Sequence, residues 1–180
     1  MEKEAGKQIA PYAAACLAAM TATFILAWLC RFPAMRIGLF AVTGGVSALI
    51  AVSDIRNLRV PLYFRMAFLL CAVWSVFVYD VPLWERGVMA GALLIVLFVL
   101  YCFMKTRILG GADIKLIVIA AFMLGTKAVW AVLIFAVVTF LSALVMRMCG
   151  DKGAMKKALP LAPFIMLGVM VVLFVVLKTL

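Results

Sequence analysis

The chain has 180 residues, is 69% hydrophobic, has a mean hydropathy of +1.29 and carries a net charge of +10. A soluble domain of this length is closer to half apolar, so a water-soluble enzyme is excluded and a polytopic helical membrane protein with one membrane domain is expected. The positive charges fall between apolar segments instead of gathering on one basic face. That pattern reads as membrane topology, with the lipid bilayer as partner and no nucleic acid.

The residue inventory removes further chemistry. There is no histidine, which excludes His-based triads and the common zinc sites. The five cysteines, Cys16, Cys30, Cys71, Cys102 and Cys149, form no C-x-x-C pair. The only serines are Ser47, Ser53, Ser75 and Ser142, none in a G-x-S-x-G setting. No metal site and no cofactor are implied.

In chain order, residues 1–8 form a polar tail and residues 9–30 a first apolar segment. That segment is longer than a signal-peptide core, and its n-region Glu2-Lys3-Glu4 is not clearly basic, so it reads as a transmembrane helix. A tight exterior turn with Pro33 spans 31–36. Residues 37–53 form the second segment, where Gly44, Gly45 and Ser47 allow close helix approach. A basic loop spans 54–61, and the third segment runs over 62–79. A short loop at 80–86 carries Pro82 and Trp84, the latter an interface anchor. The fourth segment covers 87–104, followed by a glycine-ended basic loop at 105–111. The fifth, 112–124, is too short to span alone and requires neighbours or a water-filled cavity beside it. A turn at 125–127 leads to the sixth segment at 128–146. A long basic loop at 147–157 precedes the seventh, which Pro160 and Pro163 open.

Counting Lys and Arg with the N-terminus inside puts twelve on the cytoplasmic side and five outside, Arg86 among the five. The positive-inside rule therefore predicts a cytoplasmic N-terminus.

Two carboxylates stand apart from the other five acidic residues. Asp54 ends the second segment and Asp113 begins the fifth, and two complete crossings lie between them. An even number of crossings returns the chain to the same face, so both belong at one end of the bundle. Intramembrane acids are functional by default. Two close carboxylates share one proton, and such a pair can perform acid–base amide hydrolysis without histidine, metal or serine. The structural alternative is an N-cap role for Asp113 and an ion pair between Asp54 and Arg56 or Arg59. Spacing alone leaves the two alternatives balanced.

Three motifs tip the balance. Ser53-Asp54-Ile55-Arg56-Asn57-Leu58-Arg59-Val60-Pro61 resembles the first-aspartate motif of the prepilin peptidases, D-x-R-x-x-x-[IV]-P. Gly110-Gly111-Ala112-Asp113-Ile114-Lys115-Leu116 resembles their second, G-x-G-D-x-K-L, and Pro160 to Phe164 is similar to the P-x-x-P-F opening of their last helix. The resemblance implies an all-α membrane bundle. A six-helix GxGD-type aspartic protease core would occupy 37–180, with an extra N-terminal helix within 1–36. It implies cleavage of the leader from type IV or Flp-like pilin precursors at the cytoplasmic face of the cell membrane. Asp54 and Asp113 would be the catalytic pair. It resembles most the short Tad-type members that lack the methyltransferase domain. An acidic residue after the cut would be read by Lys115 and secondarily by Arg56. Ala112 replaces the second motif glycine, and would be strained if that position required a positive φ. The competing readings are a small transporter using the two aspartates as a proton relay, a non-catalytic pilus or secretion assembly factor, and a presenilin-like protease. The presenilin-like protease is disfavoured by the short chain and by serine before Asp54.

Overall fold

The structure is a computed structural model, and it describes residues 2–104, 110–148 and 160–179. Of the basic loops expected at 105–111 and 147–157, residues 105–109 and 149–157 lie outside the described residues. Seven α-helices form among the described residues: α1 (Glu2–Leu29), α2 (Ala34–Asn57), α3 (Leu62–Val78), α4 (Leu83–Met104), α5 (Gly111–Leu124), α6 (Ala128–Met148) and α7 (Ala162–Thr179). The turn Gly125–Lys127 joins α5 to α6. Among the same residues, four apolar stretches are long enough to cross a membrane: Pro11–Leu29, Ala34–Asn57, Gly111–Ser142 and Ala162–Thr179. The turn after α5 divides the third of these. The protein is an all-α membrane bundle.

Proline punctuates the chain. Pro33 and Pro61 are the N-cap residues of α2 and α3, Pro82 precedes α4, and Pro163 lies in the first turn of α7. A helix N-terminus has four N–H groups without an intrahelical partner, and proline removes one of them while presetting φ. Among the described residues, only Pro11 falls in a helix interior.

α2 and α5 are the two centres of packing. α2 contacts α1, α3 and α7, and α5 contacts α3, α4, α6 and α7. The helices that carry the aspartates therefore share two neighbours, α3 and α7. Leu39, Ile50, Phe68, Leu116, Leu124 and Leu173 are fully buried between them. Fourteen residues give α5 a length of about 21 Å, short of a ~30 Å hydrocarbon core. Its neighbours on several sides compensate, as expected for this segment. The expected close approach at Gly44 and Gly45 is made by α1. A Cβ there would lie 2.6 Å from Thr23 and 2.4 Å from Met20. α6 and α7 meet as closely at Gly168, where a Cβ would lie 2.5 Å from the Ala131 carbonyl oxygen.

The helices run further than the apolar pattern indicates. α2 continues one turn past Ser53 and includes Asp54, and α4 begins at Leu83 instead of Gly87. Apolarity marks what faces lipid or core, whereas the helix continues until a turn residue stops it. Trp84 is 72% exposed, in keeping with an interface anchor.

One residue departs from its expected place. Arg86, counted above among the exterior loop cations, is 0% exposed. Its guanidinium donates to the carbonyls of Val81 (3.0 Å), Ser75 (3.3 Å), Tyr79 (3.0 Å) and Met123 (3.3 Å), and to Ser75 Oγ (2.8 Å). It also lies 4.8 Å from the centroid of the Tyr79 ring, and the Tyr79 hydroxyl donates to the Met123 carbonyl. The charge is thus held by carbonyls at the C-terminal ends of α3 and α5, where a cation complements the helix dipole. Arg36 caps another C-terminus in the same way, donating to the Leu177 carbonyl at 3.2 Å. Beside the Arg86 knot, Glu85 Oε1 accepts from the Thr126 N–H (3.2 Å) and hydroxyl (2.7 Å).

Arg86→Met would remove these charge-assisted bonds at about 1.5–3 kcal/mol each before relaxation, although the Ser75, Tyr79 and Met123 carbonyls each keep another donor. The melting temperature in detergent should fall by roughly 5 °C or more. Arg31→Gln, at an exposed turn, should leave it unchanged. Equal melting of the two variants would contradict the role given to Arg86.

Candidate active site

The stretch Ser53 to Pro61 ends one helix and starts the next. The Leu58 N–H donates to the Asp54 carbonyl at 2.8 Å, and Leu58 closes α2 in the left-handed region with φ 50°. Ser53 Oγ donates to the Arg59 carbonyl at 2.9 Å, which folds the turn back against the helix. Val60 is buried and Pro61 opens α3. Asp54 is left inside, 7% exposed. Its Oδ2 accepts from the Ala162 N–H, the first residue of α7, at 2.9 Å. Ala162 lies between Pro160 and Pro163, neither of which has an N–H to offer. Asp54 therefore bonds to α7 and not to Arg56 or Arg59.

Asp113 is the third residue of α5, one turn beyond the N-cap position expected for it; the N-cap residue is Gly110. Asp113 Oδ2 accepts from the Gly110 N–H at 3.1 Å, while the Asp113 N–H donates to the Gly110 carbonyl at 3.0 Å. This is the reach-back half of a capping box. A Cβ on Gly110 would lie 3.0 Å from that carboxylate oxygen, whereas one on Gly111 would meet nothing within 4 Å. Among the described residues, positive φ occurs only at Arg31, Leu58 and Gly125. Ala112 is thus an ordinary helical residue, and no strain follows from its replacing glycine.

Asp54 is held at the start of α7 and Asp113 lies in the first turn of α5, and α5 packs against α7. The two residues fall at the same end of the bundle, as the two crossings between them require. Each also accepts a hydrogen bond from the first backbone groups of a helix, where an anion is favoured. A close pair of carboxylates can hold one proton between them, leaving one acid and one base side by side.

The proposed reading residues lie apart from this pair in kind. Lys115 is exposed on α5. Arg56 is exposed and stacks over the Tyr12 ring of α1 at 5.5 Å, and Asn57 Nδ2 donates to the Tyr12 hydroxyl at 3.2 Å. Three partners escaped the sequence reading. The Ala162 amide has no side-chain signature. Tyr12 sits in a segment that reads only as apolar. Arg86 had a signal in Ser75 and Tyr79, polar residues one turn apart at the end of α3.

A helical membrane bundle with two acidic groups at one end is the class that fold and site define. The chain belongs to the type IV leader peptidase family, whose model matches residues 41–148. It is thus a membrane peptidase, and the match contains both aspartates, Gly110, Gly111 and Pro61. Neither a curated protein nor a solved structure matches the chain.

Gly110→Ala should push the Asp113 carboxylate aside and lower peptidase turnover by on the order of tenfold, because small displacements of reacting groups are costly. Gly111→Ala should retain wild-type turnover. Equal loss in both variants would show that the glycines serve something other than carboxylate placement.

Proposed function

We propose that the chain is a prepilin leader peptidase of the intramembrane aspartic, GxGD type. It hydrolyses the peptide bond after the leader of type IV or Flp-like pilin precursors at the cytoplasmic membrane face. The observation that carries the reading is the placement of Asp54 on the first N–H of α7 and of Asp113 at the start of α5, two helices that pack together, at one end of the bundle. The ionised member draws a proton from a water molecule as it attacks the scissile carbonyl. The protonated member polarises that carbonyl and then protonates the leaving amine. The N–H groups of Ala162 and Gly110 hold the two carboxylates in place. The catalytic core is residues 37–180, and residues 1–36 add a helix that packs on α2.

The test is cleavage of a purified pilin precursor by the protein in detergent, read as a size shift. Asp54→Asn and Asp113→Asn should each lose at least on the order of 10²-fold in rate while still inserting. Substantial cleavage by either variant would sink the dyad, and no cleavage by the wild type would favour an assembly factor.

Lys115 and Arg56 read an acidic residue after the cut. Lys115→Gln should slow cleavage of a precursor carrying that acid and leave its neutralised form at the wild-type rate. Arg56→Gln should do the same more weakly, because Tyr12 already engages its guanidinium. Equal slowing of both precursors would instead make these cations supports of the site.

A further inference from the structure

α3 and α4 are tied together at the Arg86 end, where the guanidinium holds carbonyls of α3 and of the turn before α4. α5 packs against both helices. Towards the aspartate end a groove of about 240 Å³ opens between them. Met66 of α3 and Leu94 of α4 line its sides, and Ile114 and Ile119 of α5 lie along it. Arg65 and Lys115 stand in the same lining, and among the described residues no acidic one does. Arg65 Nε is buried and, among the described residues, has no hydrogen-bond partner.

These features describe the missing occupant. A buried guanidinium N–H without an acceptor is costly, so the groove is incomplete as it stands. Its walls are apolar and half-exposed, as Met66 and Leu94 are. The complement is an apolar segment that bears a carboxylate, which a guanidinium takes in paired hydrogen bonds. The floor residues follow Asp113 directly along α5, so a chain lying there would lead straight to the carboxylates.

We propose that this groove receives the membrane-embedded segment of the precursor adjoining the scissile bond, with a carboxylate of that segment held by Arg65 beside Lys115. The proposal rests on the leader-peptidase reading. Arg65 is a specificity residue here and takes no part in the proton transfers. An apolar helix laid in an apolar groove, with a few side-chain anchors, is a recurring recognition mode.

The test uses the full chain in detergent with two probes. One is a complete pilin precursor. The other is a soluble peptide that covers the leader and the scissile bond but stops before the apolar segment. Met66→Trp and Leu94→Trp fill the groove from half-exposed positions. Each should raise KM for the precursor about tenfold, equivalent to one good anchor, with kcat and cleavage of the short peptide unchanged. Arg65→Gln should raise KM for the precursor and not for a counterpart whose carboxylate is replaced by the matching amide. A photocrosslinking residue at Leu94, in the Asp113→Asn background, should capture the precursor's apolar segment. Cleavage of the precursor by the wild type with unchanged KM in both Trp variants, or with no adduct at Leu94, overturns the groove and leaves the peptidase reading standing. Failure of the wild type to cleave either probe, together with no adduct, overturns both. An Arg65→Gln defect that is equal for both precursors and appears only with anionic phospholipid present assigns the site to a lipid headgroup and also overturns the proposal.

Discussion

A helix that ends near a bilayer must find partners for its last backbone N–H and C=O groups, because hydrocarbon offers none. The structure solves this differently at its two ends. At one end, Arg86 collects carbonyls from the C-termini of α3 and α5, and Arg36 takes one from α7. At the other, Asp54 accepts from the first N–H of α7 and Asp113 from the N-cap of α5. Cations close the carbonyl ends and carboxylates close the amide ends, as the helix dipole favours. The starts of α2, α3 and α4 use proline, which has no N–H to satisfy.

This constraint bears on the chemistry. Capping and catalysis are usually weighed as alternatives for an aspartate at a helix terminus. Here each carboxylate accepts a capping bond on its Oδ2. A carboxylate has about four lone-pair positions, so one such bond leaves capacity for a proton or a water molecule. The cap fixes the group's orientation without consuming it. In the proposed dyad the contact that ties α2 to α7 and the one that closes the start of α5 would preorganise the acid and the base. The glycine at 110 then has a spatial role, since it leaves room for the Asp113 carboxylate to turn back on the helix start.

Much of this was legible in the sequence. The all-helical membrane class followed from apolar runs of spanning length, and the common end for Asp54 and Asp113 followed from counting crossings. Pro163 marked a helix start, whereas Pro33 read as part of a turn over 31–36 although α2 begins directly after it; Gly44-Gly45 marked a close helix contact, although not that α1 would supply the partner. The helix ends were less legible. Asp54 read as the start of a loop because the apolar pattern stops at Ser53, yet backbone hydrogen bonding carries α2 on to Asn57. Asp113 read as an N-cap because glycines precede it, whereas a carboxylate three residues into the helix can reach back to the same amide. Arg86 read as a topology charge because positive-inside counting has no place for an arginine that serves carbonyls. The Ala162 amide could not be read at all, since it lies 108 residues from Asp54 and donates through the backbone.

The central claim is that Asp54 and Asp113 face each other across one site. The most direct measurement is thiol cross-linking in native membranes. Asp54→Cys and Asp113→Cys would be combined on a background without the five native cysteines. The membranes would be treated with a short bis-thiol reagent, and the links mapped by mass spectrometry of the digested chain. The account predicts an intramolecular 54–113 link in high yield. It predicts little link when Asp113→Cys is combined instead with Arg31→Cys, in the turn that follows α1 at its far end. Absence of the 54–113 link, with both thiols labelled singly by the reagent, would contradict it.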